Sequence, residues 1–333
     1  RERERNMAEP WYTDCTVLPG VGDDEEEAVY DIGMASLGHN TAMMCYQVDL
    51  GTEGYVPKEK WFILSLTPDR TIDIQRIPGP PNPQGVYSMQ LVRVGDAVVA
   101  YGGHTLNPIE AEREEYDDSI PRWFMAVYTI ATGEWESVPY TEGDLSPEPL
   151  CWSCLFGIGN TLVVVGGNQH PPDVVSPMLT WEYSLDTRQW TRCMDCPRAM
   201  SSKTSGATFH GTHHIYSDAH LAYKDRKWTK TPIDMGDPTV RTLLAVPLYG
   251  HNQLMAVTKW CRKTSKGVQR FYLCDPVSNE PRPLPPLPLS ARQLRYLVQS
   301  KTVMLSPTTM LSVATDTSVL VEIDPALLGP EYH

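Results

Sequence analysis

Two pairs of cysteines have the C-x-x-C spacing of a zinc site, Cys151 with Cys154 and Cys193 with Cys196. Four thiolates at this spacing could hold Zn²⁺ in a tetrahedral structural centre. The strand pattern argues against zinc, because the first pair falls on the first strand of a predicted four-stranded sheet and the second pair on its fourth strand. Those strands are separated by roughly 14 Å, since neighbouring strands lie about 4.8 Å apart. The sequence therefore favours free, buried thiols over zinc or a disulfide, and it predicts no metal and no cofactor.

Histidines form a second cluster, at His210, His213, His214 and His220. His210, His214 and His220 have equal parity and could share one face of a strand, where imidazoles could bind a metal. A turn at Gly211 interrupts the alternation, and no carboxylate stands at a fitting spacing, so packing inside a sheet is favoured over metal binding. The sequence also lacks a G-x-S-x-G motif, a phosphate-binding loop and an H-E-x-x-H motif. No catalytic residue is predicted.

The stretch 149–197 indicates which elements position these residues. It contains four short β-rich runs separated by turn signals, which predict a small antiparallel sheet. The runs are 151–158, 162–165 followed by Gly166-Gly167, 180–185, and a last run around Trp190. One sheet of this size cannot bury both of its faces, so it requires copies of itself beside it.

The stretch 86–139 is one such copy. Both stretches have an apolar strand that ends in a double glycine, then an aromatic strand, a turn before a tryptophan, and a closing Val-Pro or Cys-Pro. The double glycines are Gly102-Gly103 and Gly166-Gly167, and the tryptophans are Trp135 and Trp190. This pattern resembles the kelch repeat, whose family stacks four-stranded blades of about 50 residues radially into a β-propeller. The resemblance implies an all-β fold.

Spacing and strand pattern predict four weaker copies, at 34–78, 207–232, 243–288 and 294–325. The last copy stops without a fourth strand, whereas 9–20 carries Trp11 and a closing Leu-Pro but no preceding strands. Ring closure accounts for both features, because the N-terminal strand would complete the last blade and hide the open sheet edges. The sequence thus predicts a six-bladed kelch-type β-propeller over 9–333, with five or seven blades as alternatives.

Residues 1–8 are predicted to be a disordered charged tail, and Met7 could be the natural start. The sequence shows no secretory signal and no apolar run of membrane-spanning length. Cysteines without a secretory signal favour a reducing compartment, so the protein is expected in the cytoplasm or nucleus. The net charge of −13 at pH 7 makes this an acidic protein and disfavours nucleic acid and anionic membranes as partners. A monomeric domain that binds protein is expected.

Charged residues concentrate in predicted loops. Acidic clusters occur at 23–27 and 110–118, and a basic cluster occurs at 259–270. In a kelch-like blade, the loop between the second and third strands and the loop to the next blade open on one rim of the channel. The resemblance therefore implies that these clusters share that rim. They are either solvated loops that help solubility or a bipolar face that steers a charged peptide.

The resemblance also implies that a partner peptide binds across this rim, and loops on a rigid scaffold commonly carry function. The predicted contacts are His104, Arg113, Asn168, Gln169, His170, Lys259, Trp260, Arg262, Lys263 and Arg292. His104 and 168–170 could instead only cap turns. The expected function is a non-catalytic interaction module, either a substrate-recognition subunit, for example of a ubiquitin ligase, or a scaffold. The alternative is a carbohydrate-acting enzyme similar to the kelch-type oxidases or epimerases.

Overall fold

The computed structural model describes residues 12–19, 28–49, 58–81, 86–105, 124–139, 146–147, 153–167, 178–198, 200, 206–216, 219–233, 240–247, 253–259, 268–275, 281–290, 293, 301–313, 317–324 and 326. Their secondary structure is almost entirely β-strand, which confirms the predicted all-β class. No helix within these ranges is long and apolar enough to cross a membrane. The chain divides into two compact units, a first unit, Gly22–Lys203, and a second unit, Arg1–Val21 with Thr204–His333.

The described part of the first unit forms three antiparallel four-stranded sheets, each a meander in chain order. Their strands are β2 (Ala28–Gly38), β3 (Thr41–Asp49), β4 (Lys58–Leu66) and β5 (Ile72–Ile77); β6 (Val86–Val94), β7 (Ala97–Thr105), β8 (Met125–Thr129) and β9 (Glu134–Ser137); and β10 (Cys154–Ile158), β11 (Thr161–Val165), β12 (Thr180–Ser184) and β13 (Gln189–Arg192). First strands of neighbouring sheets lie side by side, β2 next to β6 and β6 next to β10. Successive propeller blades are arranged in this way.

Strand β7 shows why the second strands have unbroken apolar sequences. Ala100 packs into a cluster with Trp61 of the preceding sheet, whereas its neighbour Val99 packs into a cluster with Val164 of the following sheet. Successive side chains of a strand point to opposite faces, so an unbroken apolar run is fully buried only when both faces are covered. The apolar run of β7 therefore results from its position between two neighbouring sheets.

The double glycines at the ends of the second strands have backbone conformations that other residues adopt with strain. Gly102, Gly166 and Gly167 have φ angles of 84°, 62° and 111°, in a region that glycine reaches without a steric penalty. The pairing with the third strand continues at this point, because Gly102 N donates to Phe124 O at 3.1 Å and Gly166 N donates to Leu179 O at 2.8 Å. The Gly-Gly pair directly follows β11, whereas β7 continues beyond its Gly-Gly pair to Thr105.

A tyrosine of the third strand meets a tryptophan of the fourth strand in three of the sheets. The ring centroids are 5.1 Å apart for Tyr128–Trp135, 4.9 Å for Tyr183–Trp190 and 4.9 Å for Tyr223–Trp228. The tryptophan also reaches the preceding sheet in the first unit. Trp135 Nε1 donates to Pro78 O at 3.3 Å and its ring meets Trp61 edge-on at 4.9 Å. In the first unit, Trp135 therefore joins its sheet to the sheet before it.

The second unit also forms three antiparallel four-stranded sheets within its described residues. Their strands are β14 (Gly206–Phe209), β15 (Thr212–Tyr216), β16 (Ala219–Lys224) and β17 (Lys227–Pro232); β18 (Val240–Pro247), β19 (Gln253–Lys259), β20 (Val268–Cys274) and β21 (Pro281–Leu284); and β22 (Lys301–Met304), β23 (Thr309–Val313), β24 (Thr317–Ile323) and β1 (Tyr12–Pro19). The first strands β14, β18 and β22 are again neighbours in that order.

The outermost strand of the last sheet comes from the start of the chain. β1 pairs antiparallel with β24, from Tyr12 opposite Ile323 to Pro19 opposite Thr317. Tyr12 and Cys15 pack against a core cluster that includes Val319 and Val321 of β24. The predicted copy at 294–325 supplies only three strands, β22 to β24, so β1 occupies the place of its fourth strand.

Two strands begin earlier than the sequence predicted. β2 starts at Ala28, before the predicted copy at 34–78, and β18 starts at Val240, before the predicted copy at 243–288. Each strand contains a register shift near its start, between Tyr30 and Ile32 in β2 and between Thr242 and Leu244 in β18. A bulge breaks the period-two alternation of side chains, so strand residues before a bulge are missed by a pattern search.

Candidate partner-binding rim

The connections distinguish the two ends of each sheet. We define the rim end as the end at which the second strand leads into the third. In the first unit, residues 50–57, 106–124 and 166–179 make these connections. The opposite ends carry the tight turns 39–40, 95–96 and 159–160 between first and second strands. All three sheets therefore present their longer connections at the rim end.

Two of the predicted contact residues have a described backbone. His104 lies near the rim end of β7, opposite Tyr87, and Lys259 is the last residue of β19, opposite Val240 and Val268. Each therefore lies at the rim end of its own sheet. Their side chains lie outside the described part of the chain, as do Arg113, Asn168, Gln169, His170, Trp260, Arg262, Lys263 and Arg292. Partner contact by these residues stays a prediction.

A half-buried carboxyl group lies at the rim end of the first sheet. Glu59 is the second residue of β4, and the indole Nε1 of Trp61 donates to Glu59 Oε2 at 3.3 Å. Burial raises the pKa of Glu59 to about 8, although the Trp61 hydrogen bond acts in the opposite direction. Glu59 can therefore hold a proton at neutral pH. Sequence reasoning missed this residue, since no motif distinguishes it from the neighbouring charged residues.

Buried hydrogen-bond donors occupy the rim end between the second and third sheets. Gln90 of β6 donates its amide N–H to the backbone oxygen of Ser153 at 2.6 Å, across the two sheets. The hydroxyl of Ser153 and the indole N–H of Trp181 are buried, and neither has a hydrogen-bond partner among the described residues. The guanidinium of Arg192 lies 5.7 Å from the Trp181 ring centroid. This group of side chains was not predicted either.

The cysteines of the third sheet lie across its full width. Cys154 of β10 is opposite Val165, which is opposite Thr180, and the backbone N of Cys193 donates to Thr180 O at 2.9 Å. First and fourth strands are thus three strand spacings apart, the separation on which the argument against zinc rests. Cys154, Cys193 and Cys196 form no disulfide among the described residues, and burial raises the pKa of Cys196 to about 11. Cys151 lies outside the described residues.

Three of the clustered histidines are buried in the β14–β17 sheet. His214 Nδ1 and His220 Nε2 are 2.9 Å apart and hydrogen-bonded, and Tyr216 stacks on His220 at 4.5 Å. His213 is hydrogen-bonded through Nδ1 to Thr208 Oγ1 at 2.7 Å. His210 lies in the exposed turn before β15. It does not share a strand face with His214 and His220, because the turn breaks the alternation as expected. Within the described residues no three metal-binding side chains come together.

Acid is expected to destabilise the protein below about pH 6.5 through His213 and His214. Histidines in an unfolded chain have a pKa of about 6.5, whereas burial lowers the pKa of His214 to about 4 and that of His213 well below its ordinary value. The unfolded chain then takes up protons that the folded protein does not. Stability is complete above about pH 6.5 and falls toward pH 4 by about 1.4 kcal/mol per pH unit for each histidine. Melting temperatures across this range measure the loss.

Glu59 is expected to act in the opposite direction. Its raised pKa means that the folded protein keeps a proton that the unfolded chain releases, so its contribution to stability falls as the pH rises from about 4.5 to about 8. Glu59→Gln should therefore steepen the loss in acid, and His214→Phe should reduce it. His210→Asn, at an exposed turn residue with a φ of 49°, is the control and should melt like the parent. Equal pH dependence of the melting temperature in the parent and in His214→Phe would show that His214 does not cause the loss of stability in acid.

Comparisons with known proteins support the fold and no more than the fold. No protein-family model matches the chain, and no curated protein matches it. Among solved structures, the chain is similar to the one described as "Structure of YjhT", a propeller protein, with 10% sequence identity. The match covers 88% of this chain and 93% of that chain, with a TM-score of 0.53. The chain therefore has a propeller-type all-β fold. Its relation to the kelch family is a resemblance in sequence pattern.

Proposed function

We propose that this chain is a non-catalytic protein-interaction module that binds a peptide or loop of a partner protein at the rim ends of its sheets. We further propose that the sheets form a six-bladed kelch-type propeller, closed by the pairing of β1 with β24, which acts as a monomer in the cytoplasm or nucleus. The observation that carries the proposal is the asymmetry of the first unit. Residues 106–124 and 166–179 connect strands at the rim end, whereas two-residue turns close the opposite end.

This asymmetry supports binding because long connections need a reason to persist in a compact fold. Loops of more than about 12 to 15 residues without their own secondary structure are uncommon, and they are usually functional. The second strands beneath them are buried on both faces, as the side chains of β11 show. A rigid strand fixes where a loop begins and ends, so it can present a binding surface at a small cost in entropy.

The charge pattern supports a partner segment that carries charge. The connection 106–124 contains the acidic cluster, and the connection 260–267 contains Arg262 and Lys263. Each connection would attract a segment of the partner that carries the opposite charge. Substrate recognition for a ubiquitin ligase and a scaffold role are both compatible with such a surface. The net charge of −13 disfavours nucleic acid as the partner.

A pull-down from cell lysate tests this proposal, with Arg262→Glu/Lys263→Glu compared with the parent. The control is Lys227→Glu/Lys230→Glu, which makes the same change of charge at exposed positions of β17. We expect a specific protein to bind the parent and the control and to be lost from the rim variant. A protein retained by all three would remove these residues from the binding surface. If no specific protein binds the parent, the interaction module itself is wrong.

Glu59 favours the second candidate, a carbohydrate-acting enzyme. A carboxyl group with a pKa of about 8 can donate a proton near neutral pH, as a general acid does. A screen of sugars for a change in melting temperature tests this role, with Glu59→Gln as the comparison. A sugar that stabilises the protein and is turned over by the parent but not by Glu59→Gln would favour the enzyme over the binding module.

A further inference from the structure

The side chains between the second and third sheets include two buried hydrogen-bond donors without acceptors among the described residues. Ser153 precedes β10 and Trp181 belongs to β12, and their side chains are 2% and 9% exposed. Trp181 packs in the same cluster as Tyr101 of the second sheet, and Gln90 of that sheet donates to the backbone of Ser153. Ser153 and Trp181 therefore lie near the rim end of the third sheet, where it faces the second sheet, and we call this inter-sheet region the gap.

Both groups are donors for which the described residues supply no acceptor. A buried donor without an acceptor costs free energy, so such groups are rare in folded proteins and require an explanation. Two of them in one gap, from different strands, indicate a place prepared for an acceptor oxygen from outside the protein. The location at the rim end agrees with the binding surface proposed above.

The charged residues beside the gap favour one type of acceptor oxygen. Arg192 lies over the Trp181 ring and donates through Nη1 to Thr180 O at 3.1 Å, while its other contacts are to Cys193 O and Asp195. Arg198 follows a few residues later, close enough to Cys196 to lower its pKa, although burial raises that pKa by more. The stretch from Arg192, the last residue of β13, to Arg198 thus carries two arginines and one aspartate, a positive excess on an acidic protein. A carboxylate fits two neutral donors beside this excess better than a neutral carbonyl does.

We propose that this gap is a subsite for the carboxylate of an aspartate or glutamate side chain of the partner. Ser153 Oγ–H and Trp181 Nε1–H donate to the two carboxylate oxygens, and Arg192 provides a favourable charge at the entrance. The subsite deepens the proposed binding function and rests on it. Ser153 lies inside the C-x-x-C spacing of Cys151 and Cys154, and Trp181 follows a whole hairpin later in the chain.

The test needs no partner protein, so it can fail independently of the pull-down. The probe is N-acetylglutamate N-methylamide, titrated into ¹⁵N-labelled protein while the indole N–H signal of Trp181 is followed. The signal is assigned by its loss in Trp181→Phe. We expect a saturable downfield shift with this probe and about tenfold weaker binding of the neutral glutamine analogue. Ser153→Ala is expected to weaken binding of the probe by a similar factor.

Melting temperatures of the same variants separate binding donors from structural ones. Ser153→Ala removes a donor without an internal partner, so it should melt at or above the temperature of the parent. Trp181→Phe also shortens a buried side chain, which lowers stability for a separate reason, so it serves only to assign the signal. The control is Ser184→Ala, whose hydroxyl accepts a hydrogen bond from Thr187 N at 3.2 Å and whose loss should lower the melting temperature. Weaker probe binding together with unchanged or higher stability is the expected pattern.

Three results would overturn the subsite. A Trp181 signal that does not move with the probe would show that no carboxylate reaches the donor. A lower melting temperature for Ser153→Ala would show that its hydroxyl has a partner inside the protein. Stronger binding of N-acetylglycine than of the glutamate probe would assign the gap to a chain end rather than to a side chain.

Discussion

Deletion of residues 1–19 is expected to leave a protein that is unfolded or close to unfolding at room temperature. The deletion removes β1, whose pairing with β24 extends from Tyr12 to Pro19. It also exposes the edge of β24 and uncovers part of the core cluster that holds Val319 and Val321. Loss of a whole strand with its backbone hydrogen bonds should cost about 5 kcal/mol or more, and domains are stable by only about 5 to 15 kcal/mol. Thermal and urea unfolding measure the effect.

Two controls make this result specific. Deletion of residues 1–8, the predicted charged tail, should leave the melting temperature unchanged. A synthetic peptide of residues 9–20, added to the protein that lacks 1–19, should restore a cooperative transition, because an open strand edge accepts a matching strand. An unaltered melting temperature after deletion of residues 1–19 would show that β1 does not hold the last sheet together.

The second large effect is expected from Trp61→Ala. Trp61 is 2% exposed and packs in the cluster shared by the first two sheets, edge-on to Trp135 at 4.9 Å. The backbone at Gly79 approaches so closely that a Cβ atom there would lie 2.6 Å from Trp61 Nε1. A side chain packed this tightly leaves a cavity when it is truncated, and buried tryptophans cost about 3 to 5 kcal/mol. Chemical denaturation of the parent and the variant measures the difference in the free energy of unfolding.

Ile74→Ala is the matched control in the same sheet. Ile74 lies on β5, the outermost strand, and is 47% exposed. Its truncation should change stability by no more than about 0.5 kcal/mol, as surface substitutions usually do. If Trp61→Ala and Ile74→Ala unfold at the same denaturant concentration, then Trp61 is not part of the packing between the sheets.

The repeat pattern carried most of what the sequence could predict about the fold. The double glycines meet a requirement of backbone conformation, and the repeated tryptophans meet a requirement of packing between sheets. Gly102 and Trp135 therefore each carried information about the fold. The strand at the start of the chain was predicted because a three-stranded copy and an isolated strand complement each other. The bulged starts of β2 and β18 were missed because a bulge removes the alternation on which a strand prediction depends.

The candidate site was less predictable, for a physical reason. The sequence reveals which loops are charged but not which buried polar groups lack partners, since that depends on side chains from distant strands. Ser153 and Trp181 become neighbours of the second sheet only through packing against Tyr101 and Gln90. Glu59 is similar, because its raised pKa comes from burial at a strand end rather than from a motif. The sequence likewise did not predict the third tyrosine–tryptophan pair, Tyr223–Trp228, because its copy of the repeat lacks a double glycine.

Site-specific photocrosslinking tests the central claim, that the partner binds at the rim ends, most directly. A photoreactive amino acid placed at His104 and at Lys259, each at the rim end of its own sheet, is compared with the same group at Asp96 and Asp225, which lie in exposed turns at opposite ends. With the partner from the pull-down, we expect crosslinks from His104 and Lys259 and none from Asp96 or Asp225. Crosslinks of equal or greater yield from Asp96 and Asp225 would place the partner on the opposite ends and contradict the account.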